Sequence, residues 1–314
     1  MEKLHKKPLG ENLEPAPGNV SLHNPSGMIL STGNIYFTTN DESGAHVYRM
    51  GQTDNPGQER ELYHEPLGSL FGDITFAEVG GAFFGYFFAK NGGDITIKRI
   101  SLDGSQVATV LTPPINDMDI LITHHNLVTD GNFLYWQQST TVKKMSVNGG
   151  EIITLDPCEP NTPTAGVYLQ GKDLIYASVN DVRYVPTIGS IESPQFRTIA
   201  TANARVLSIA PAFNGTYWSD NNGAIQFKHG SSISTIKDNS NALVTSMGTN
   251  PTGNDAGVLL VWVECDGVSC ALEMDAFTFD LTQPIAINPL DVSLNQAGNV
   301  AFWGDDLGVH RLPF

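Results

Sequence analysis

All four tryptophans of this 314-residue chain stand at the end of similar short apolar runs: Leu134-Tyr135-Trp136, Thr216-Tyr217-Trp218, Leu260-Val261-Trp262 and Ala301-Phe302-Trp303. Three more runs in the same frame end at Phe37, Phe88 and Tyr176. A turn glycine precedes each of the seven: Gly33, Gly81, Gly131, Gly171, Gly215, Gly257 and Gly298. A second short strand-like segment follows each, as in Val47 to Met50, Ile97 to Ile100 and Val142 to Met145. Successive aromatic positions lie 40 to 51 residues apart. That is the length of four short antiparallel strands with their turns, and a repeat of this size constrains the fold more than any other feature.

The chain before Phe37 and after Trp303 together supply one more interval of the same length, so the repeat closes on itself. The expectation is an all-β chain, residues 1–314, folded as a single β-propeller. Seven four-stranded blades are favoured, with six as the alternative, and residues 1–17 form a partly ordered N-terminal extension. Strands near residues 291–295, 299–304 and 308–312 make most of the last blade. A strand near residues 18–22 closes it, which leaves no long unpaired edge.

Composition agrees. With 31 Gly and 18 Pro, and only 16% charged residues against a usual ~25%, the chain is poorly suited to helices. Its 17 Lys+Arg against 33 Asp+Glu give a net charge of −16, which repels phosphate backbones and excludes general nucleic-acid binding. The most apolar stretches, residues 82–89 and 257–263, fall far short of the ~20 residues of a membrane helix, so membrane insertion is not expected. Lys3, Lys6 and Lys7 are followed by no apolar run of signal-peptide kind. The expected location is cytoplasmic if Met1 is the native start, and periplasmic or secreted if a leader was removed. A monomer is expected.

The third repeat shows the strand logic. Residues 124–129 read as its inner strand, Asp130-Gly131-Asn132 as a tight turn, 133–137 as the second strand, 141–146 as the third and 151–155 as the outer one. The aromatic at the end of each second strand packs between neighbouring blades, which makes the tryptophans core residues rather than ligand platforms.

Residues 129–151 (TDGNFLYWQQSTTVKKMSVNGGE) and the run Asn214 to Asp220 (NGTYWSD), in the unit near 214–229, resemble repeats of the YWTD-type β-propeller of lipoprotein-receptor ectodomains and bacterial propellers. What this resemblance implies is a rigid ring that binds proteins or saccharides through one face and only sometimes does chemistry.

Aligning the entries to the inner strands brings together His23, Asp73, His124, His125, Thr164, Arg205, Asn241 and Asp291. Imidazole beside carboxylate can ligate a transition metal or act as acid and base near neutral pH. His124, His125 and Arg205 are therefore the candidate catalytic residues, and His23, Asp73, Thr164, Asn241 and Asp291 the candidate ligand-binding ones. A polar channel mouth filled by water explains the same residues without chemistry. Adjacent His124 and His125 point to opposite faces of a strand, so only one can face the axis.

No motif demands a cofactor. The Asx-rich segments 248–257, 40–42 and 305–306 suit Ca²⁺ but lack the ordered spacing of a calcium loop, so calcium and a transition metal both stay open. The link 111–123 could cover the channel mouth or tuck against the blades. Cys265 and Cys270 flank a hairpin turn and could form a disulfide, with Cys158 left over. No nucleophile elbow, phosphate loop or dinucleotide fingerprint occurs. The leading expectation is a recognition module that binds a small molecule, saccharide, peptide or protein at the channel mouth. The alternative is a propeller lyase, hydrolase or isomerase using a His/Asp centre there.

Overall fold

The computed structural model describes residues 26–31, 33–51, 54, 58–111, 126–138, 141–157, 165–170, 173–186, 196–212, 215–238, 240–249, 260–265, 270–274, 291–294, 300–305 and 308–313. Among them every regular element is a strand. The first sheet runs β1 (Ser26–Ser31), β2 (Asn34–Asp41), β3 (Gly44–Gly51) and β4 (Arg60–Pro66). The second runs β5 (Leu70–Val79), β6 (Ala82–Asn91), β7 (Asp94–Ser101) and β8 (Val107–Thr109). The third holds β9 (Leu127–Thr129), β10 (Phe133–Gln138), β11 (Thr141–Ser146) and β12 (Ile153–Pro157). The fourth holds β13 (Val167–Gln170), β14 (Asp173–Ser178), β15 (Asp181–Pro186) and β16 (Arg197–Thr201). The fifth holds β17 (Val206–Ala212), β18 (Gly215–Asp220), β19 (Ile225–His229) and β20 (Ser232–Lys237). Three strands describe the sixth, β21 (Leu243–Thr249), β22 (Leu260–Cys265) and β23 (Cys270–Met274). Three describe the last, β24 (Asp291–Leu294), β25 (Val300–Asp305) and β26 (Gly308–Pro313).

Within every sheet each strand pairs antiparallel with the next in sequence. The first strands of successive sheets touch in order, β1 to β5, β9, β13, β17, β21 and β24, and β24 returns to β1. The result is a closed radial array of meanders, the all-β propeller arrangement the repeat implies. The third repeat is close to expectation, except that the inner strand starts at Leu127 and the outer one lies two residues later than its sequence reading. The closing strand expected near residues 18–22 lies outside the described residues.

Turn glycines serve two different purposes. Gly131 has φ +91°, a left-handed conformation that residues with a Cβ rarely adopt. Gly215 is strand-like, but a Cβ there would overlap the Lys228 carbonyl and the Phe227 ring of β19.

Apolar clusters fill the seams between sheets. Trp136 packs on the second sheet with Phe88, Tyr86 and Ala77, Tyr176 on the third with Tyr135 and Val142, Trp218 on the fourth with Ile175 and Ala177, and Trp262 on the fifth with Tyr217. These four aromatics of the repeat thus face the preceding sheet. In the second sheet the residue facing that way is Phe87, which packs with Tyr36 and Val47; Phe88 faces forward. The sequence frame was therefore one residue late in this repeat, because Phe87 and Phe88 are equally apolar and period-two alternation alone decides which faces which neighbour. Trp136, Trp218 and Trp262 are buried, as expected; the Trp303 side chain lies outside the described residues.

Polar side chains tie the same seams. Asn40 spans the first, donating from Nδ2 to Phe71 O at 2.9 Å and accepting from Phe71 N at 2.7 Å, while Thr38 donates to Gly72 O at 2.9 Å. Gln137 donates to Ala177 O at 3.2 Å, Gln170 to Gly215 O at 3.0 Å and Ser219 to Val244 O at 2.8 Å. Each donates to a carbonyl of the next sheet, so that a polar side chain buried or half-buried at the seam finds a partner there.

Candidate functional site

One edge of the ring carries both the loops that enter the first strands and the turns that join second to third strands. Ala202 N donates to Asn180 O at 2.8 Å, Val206 N to Val179 O at 2.9 Å, and Ser240 N to Asn222 O at 2.9 Å. The entry loops of β17 and β21 are thus each fastened to a turn of the preceding sheet. Asn221 N also donates to Arg205 O at 2.9 Å. Arg205 is held by its backbone, Asn241 follows the fastened Ser240, and both are exposed. Asp291 is the first residue of β24, and its side chain lies outside the described residues.

Asp73 is different. It falls where the β5–β6 register slips between Phe71 and Ile74, and comparable irregularities mark β1, β17 and β21. Bulges re-aim side chains. Here the Asp73 carboxylate, 4% exposed, reaches the next sheet and accepts a hydrogen bond from Asn126 N at 3.3 Å. Asn126 is itself buried, donating to Gln137 O at 2.9 Å and accepting from Gln137 N at 3.0 Å. The carboxylate therefore meets the residue that follows His125 in the chain. His23, His124, His125 and Thr164 lie outside the described residues, so the geometry brings together Asp73 and the entry to β9, and places Arg205 and Asn241 on the same edge.

Sequence reasoning missed a titratable cluster in the first sheet. His46 and His64 are directly opposed on β3 and β4, with ring centroids 6.0 Å apart. His46 Nδ1 lies 2.8 Å from Glu61 Oε2, His64 Nδ1 3.1 Å from Glu61 Oε1, and His46 Nε2 2.9 Å from Ser43 Oγ. Ser43 donates to Asp41 Oδ1 at 2.6 Å. The same oxygen accepts from Ser43 N at 2.7 Å and Gly44 N at 3.3 Å. Burial opposes the Asp41 charge, but these donors and His46 outweigh it and hold its carboxyl below the usual range. Burial, with the charges of Glu61 and Asp41, pushes the Tyr48 phenol up to about 12. The alternation of His46 and Tyr48 on β3 was the available signal, but the partner strand was needed to pair them.

A second group joins the first two sheets. Lys98 pairs with buried Glu65, and Tyr63 donates to the same carboxylate oxygen at 2.8 Å. Burial lowers the Lys98 pKa and raises that of Tyr63. Among the described residues, no three His, Cys, Asp or Glu side chains are grouped to hold a metal ion. The Asn40-Asp41-Glu42 segment read as a calcium candidate has its first two side chains committed to Phe71 and to the turn of Ser43 and Gly44. Cys265 is in a disulfide, and the register sets Cys270 opposite it.

Comparison with solved structures shows the same fold. The chain superimposes with a TM-score of 0.62 and 14% identity on a chain of the mitotic checkpoint complex, covering 100% of this chain and 96% of that one. For the WD40 β-propeller domain of Doa1 the TM-score is 0.59 at 11% identity, with 92% of each chain covered. A nidogen/laminin complex chain matches at a TM-score of 0.50 and 13% identity, over 66% of this chain and 76% of that one. The fold is thus that of a β-propeller. No family model matches the sequence, and no curated protein does.

Proposed function

We propose that residues 1–314 form one monomeric, seven-bladed recognition propeller that binds a saccharide, peptide or protein on the edge carrying Arg205 and Asn241. The observation that carries this reading is the fastening of entry loops to neighbouring turns, which holds exposed polar side chains on a rigid frame. Such preorganisation lowers the entropy lost on binding. The YWTD-type resemblance of residues 129–151 and 214–229 favours the same use of the fold. Propellers in the neighbouring structures occur in protein complexes, which supports a protein as one of the ligands. Arg205→Ala and Asn241→Ala, both exposed, should fold as wild type. In a glycan and peptide array, loss of the captured ligand by either variant supports the reading, and retention by both defeats it.

A second reading rests on Asp73. A buried carboxylate beside the residue after His125 is the arrangement an acid–base pair would use. Substrate turnover that disappears in both His125→Ala and Asp73→Asn, each still fully folded at the assay temperature, would favour this enzyme reading over the first.

A further inference from the structure

The chain contains Asn-Gly pairs at Asn91, Asn148, Asn214 and Asn222, of which the pairs at Asn91, Asn148 and Asn222 lie wholly among the described residues. In such a pair the glycine nitrogen can attack the asparagine side-chain amide, because glycine offers no side chain to block the approach. The rate then depends on whether the fold lets that nitrogen reach the amide carbon.

The three turns differ sharply in this respect. Gly149 N donates to Ser146 O at 2.8 Å, and Gly223 N to Asp220 O at 3.0 Å. Both glycines are also packed closely: a Cβ on Gly149 would lie 2.6 Å from Val110 O, and one on Gly223 2.6 Å from Ser240 O. A Cβ on Gly92 or on Gly93 would meet nothing within 4 Å. Asn91, Gly92 and Gly93 are all exposed. Gly92 and Gly93 form the turn beyond the last pair of the β6–β7 hairpin, Asn91 with Asp94. Gly92 has φ +66°, so this tip is built of residues with the widest conformational freedom.

We infer that Asn91 is a site of spontaneous deamidation, on the same edge of the ring as Arg205 and Asn241. Gly92 N forms a bond to Asn91 Cγ, the Cγ–Nδ2 bond breaks, and the nitrogen leaves as ammonia with the proton lost from Gly92 N. Water then opens the cyclic imide at either carbonyl, giving aspartate or isoaspartate. Either product adds a negative charge to this turn. Isoaspartate also inserts a methylene into the backbone where β6 turns into β7.

The full-length chain, incubated folded in mildly alkaline buffer, tests this. Proteolytic mapping by mass spectrometry would follow conversion at Asn91, Asn148 and Asn222, with isoaspartate counted by enzymatic methylation. Asn91 should convert about tenfold faster than the other two, the factor expected when a backbone hydrogen bond must break before attack. Asn91→Gln should lose the early product, and in urea the three rates should converge, since the ranking comes from the fold. Equal rates in the folded chain, or earlier conversion at Asn148 or Asn222, would overturn the inference. The result is independent of ligand binding at Arg205 and Asn241.

Discussion

The buried Asp73 carboxylate of the second sheet accepts a hydrogen bond at 3.3 Å from the backbone nitrogen of Asn126, at the entry to the third. Removing the acceptor leaves a buried donor weakened. Asp73→Ala should cost ~1–3 kcal/mol, and Asp73→Asn, which keeps an oxygen acceptor, less. Urea unfolding at unchanged slope would measure both. Equal stability of Asp73→Ala and wild type would mean that the contact contributes nothing.

Trp136 is fully buried against the second sheet. Truncation to alanine should cost ~3–5 kcal/mol, whereas Leu67→Ala, at a position 74% exposed, should stay within ~0.5 kcal/mol of wild type. Thermal unfolding of the pair separates seam packing from surface effects.

Val179 has φ +54° in the turn between β14 and β15, where a β-branched side chain is strained. Val179→Gly should relieve this and raise stability by ~1 kcal/mol, despite the greater freedom glycine gives the unfolded chain. A lowered melting temperature would show that Val179 contributes more through packing than it loses through strain.

Tyr48 should create an alkaline weakness. Its phenol, ordinarily ionising near 10.0, is held neutral up to about 12 in the fold. Between those values the unfolded chain has lost the proton and the folded chain has not, so stability falls as pH rises through the window. Tyr48→Phe should track wild type below it and fall less steeply within it. Parallel curves across the whole range would contradict the shift.

With Cys265 in a disulfide and Cys270 opposite it in register, alkylation of the unfolded, unreduced chain should label one cysteine of three, Cys158. Three labels without reductant would show that the bridge does not form in the protein as isolated.

The repeat could be read from the chain because period-two alternation, turn glycines and a recurring aromatic are local properties, each written within a few consecutive residues. They were enough for the all-β class, the antiparallel order within each described sheet and the burial of Trp136, Trp218 and Trp262. What they could not decide was facing. Phe87 and Phe88 are interchangeable by hydrophobicity, and only the seam with Tyr36 assigns Phe87 to the first sheet. Asp73 was legible as a polar residue near a strand entry, yet its bulge and its bond to Asn126 depend on a sheet 53 residues away. The pairing of His46 with His64 across Glu61 likewise needed the register of two strands. Local sequence thus determined which segments become strands and that they repeat around a ring. Tertiary structure alone decided which side chains meet at each seam and edge, because those meetings are set by register and by contacts between sheets far apart in the chain.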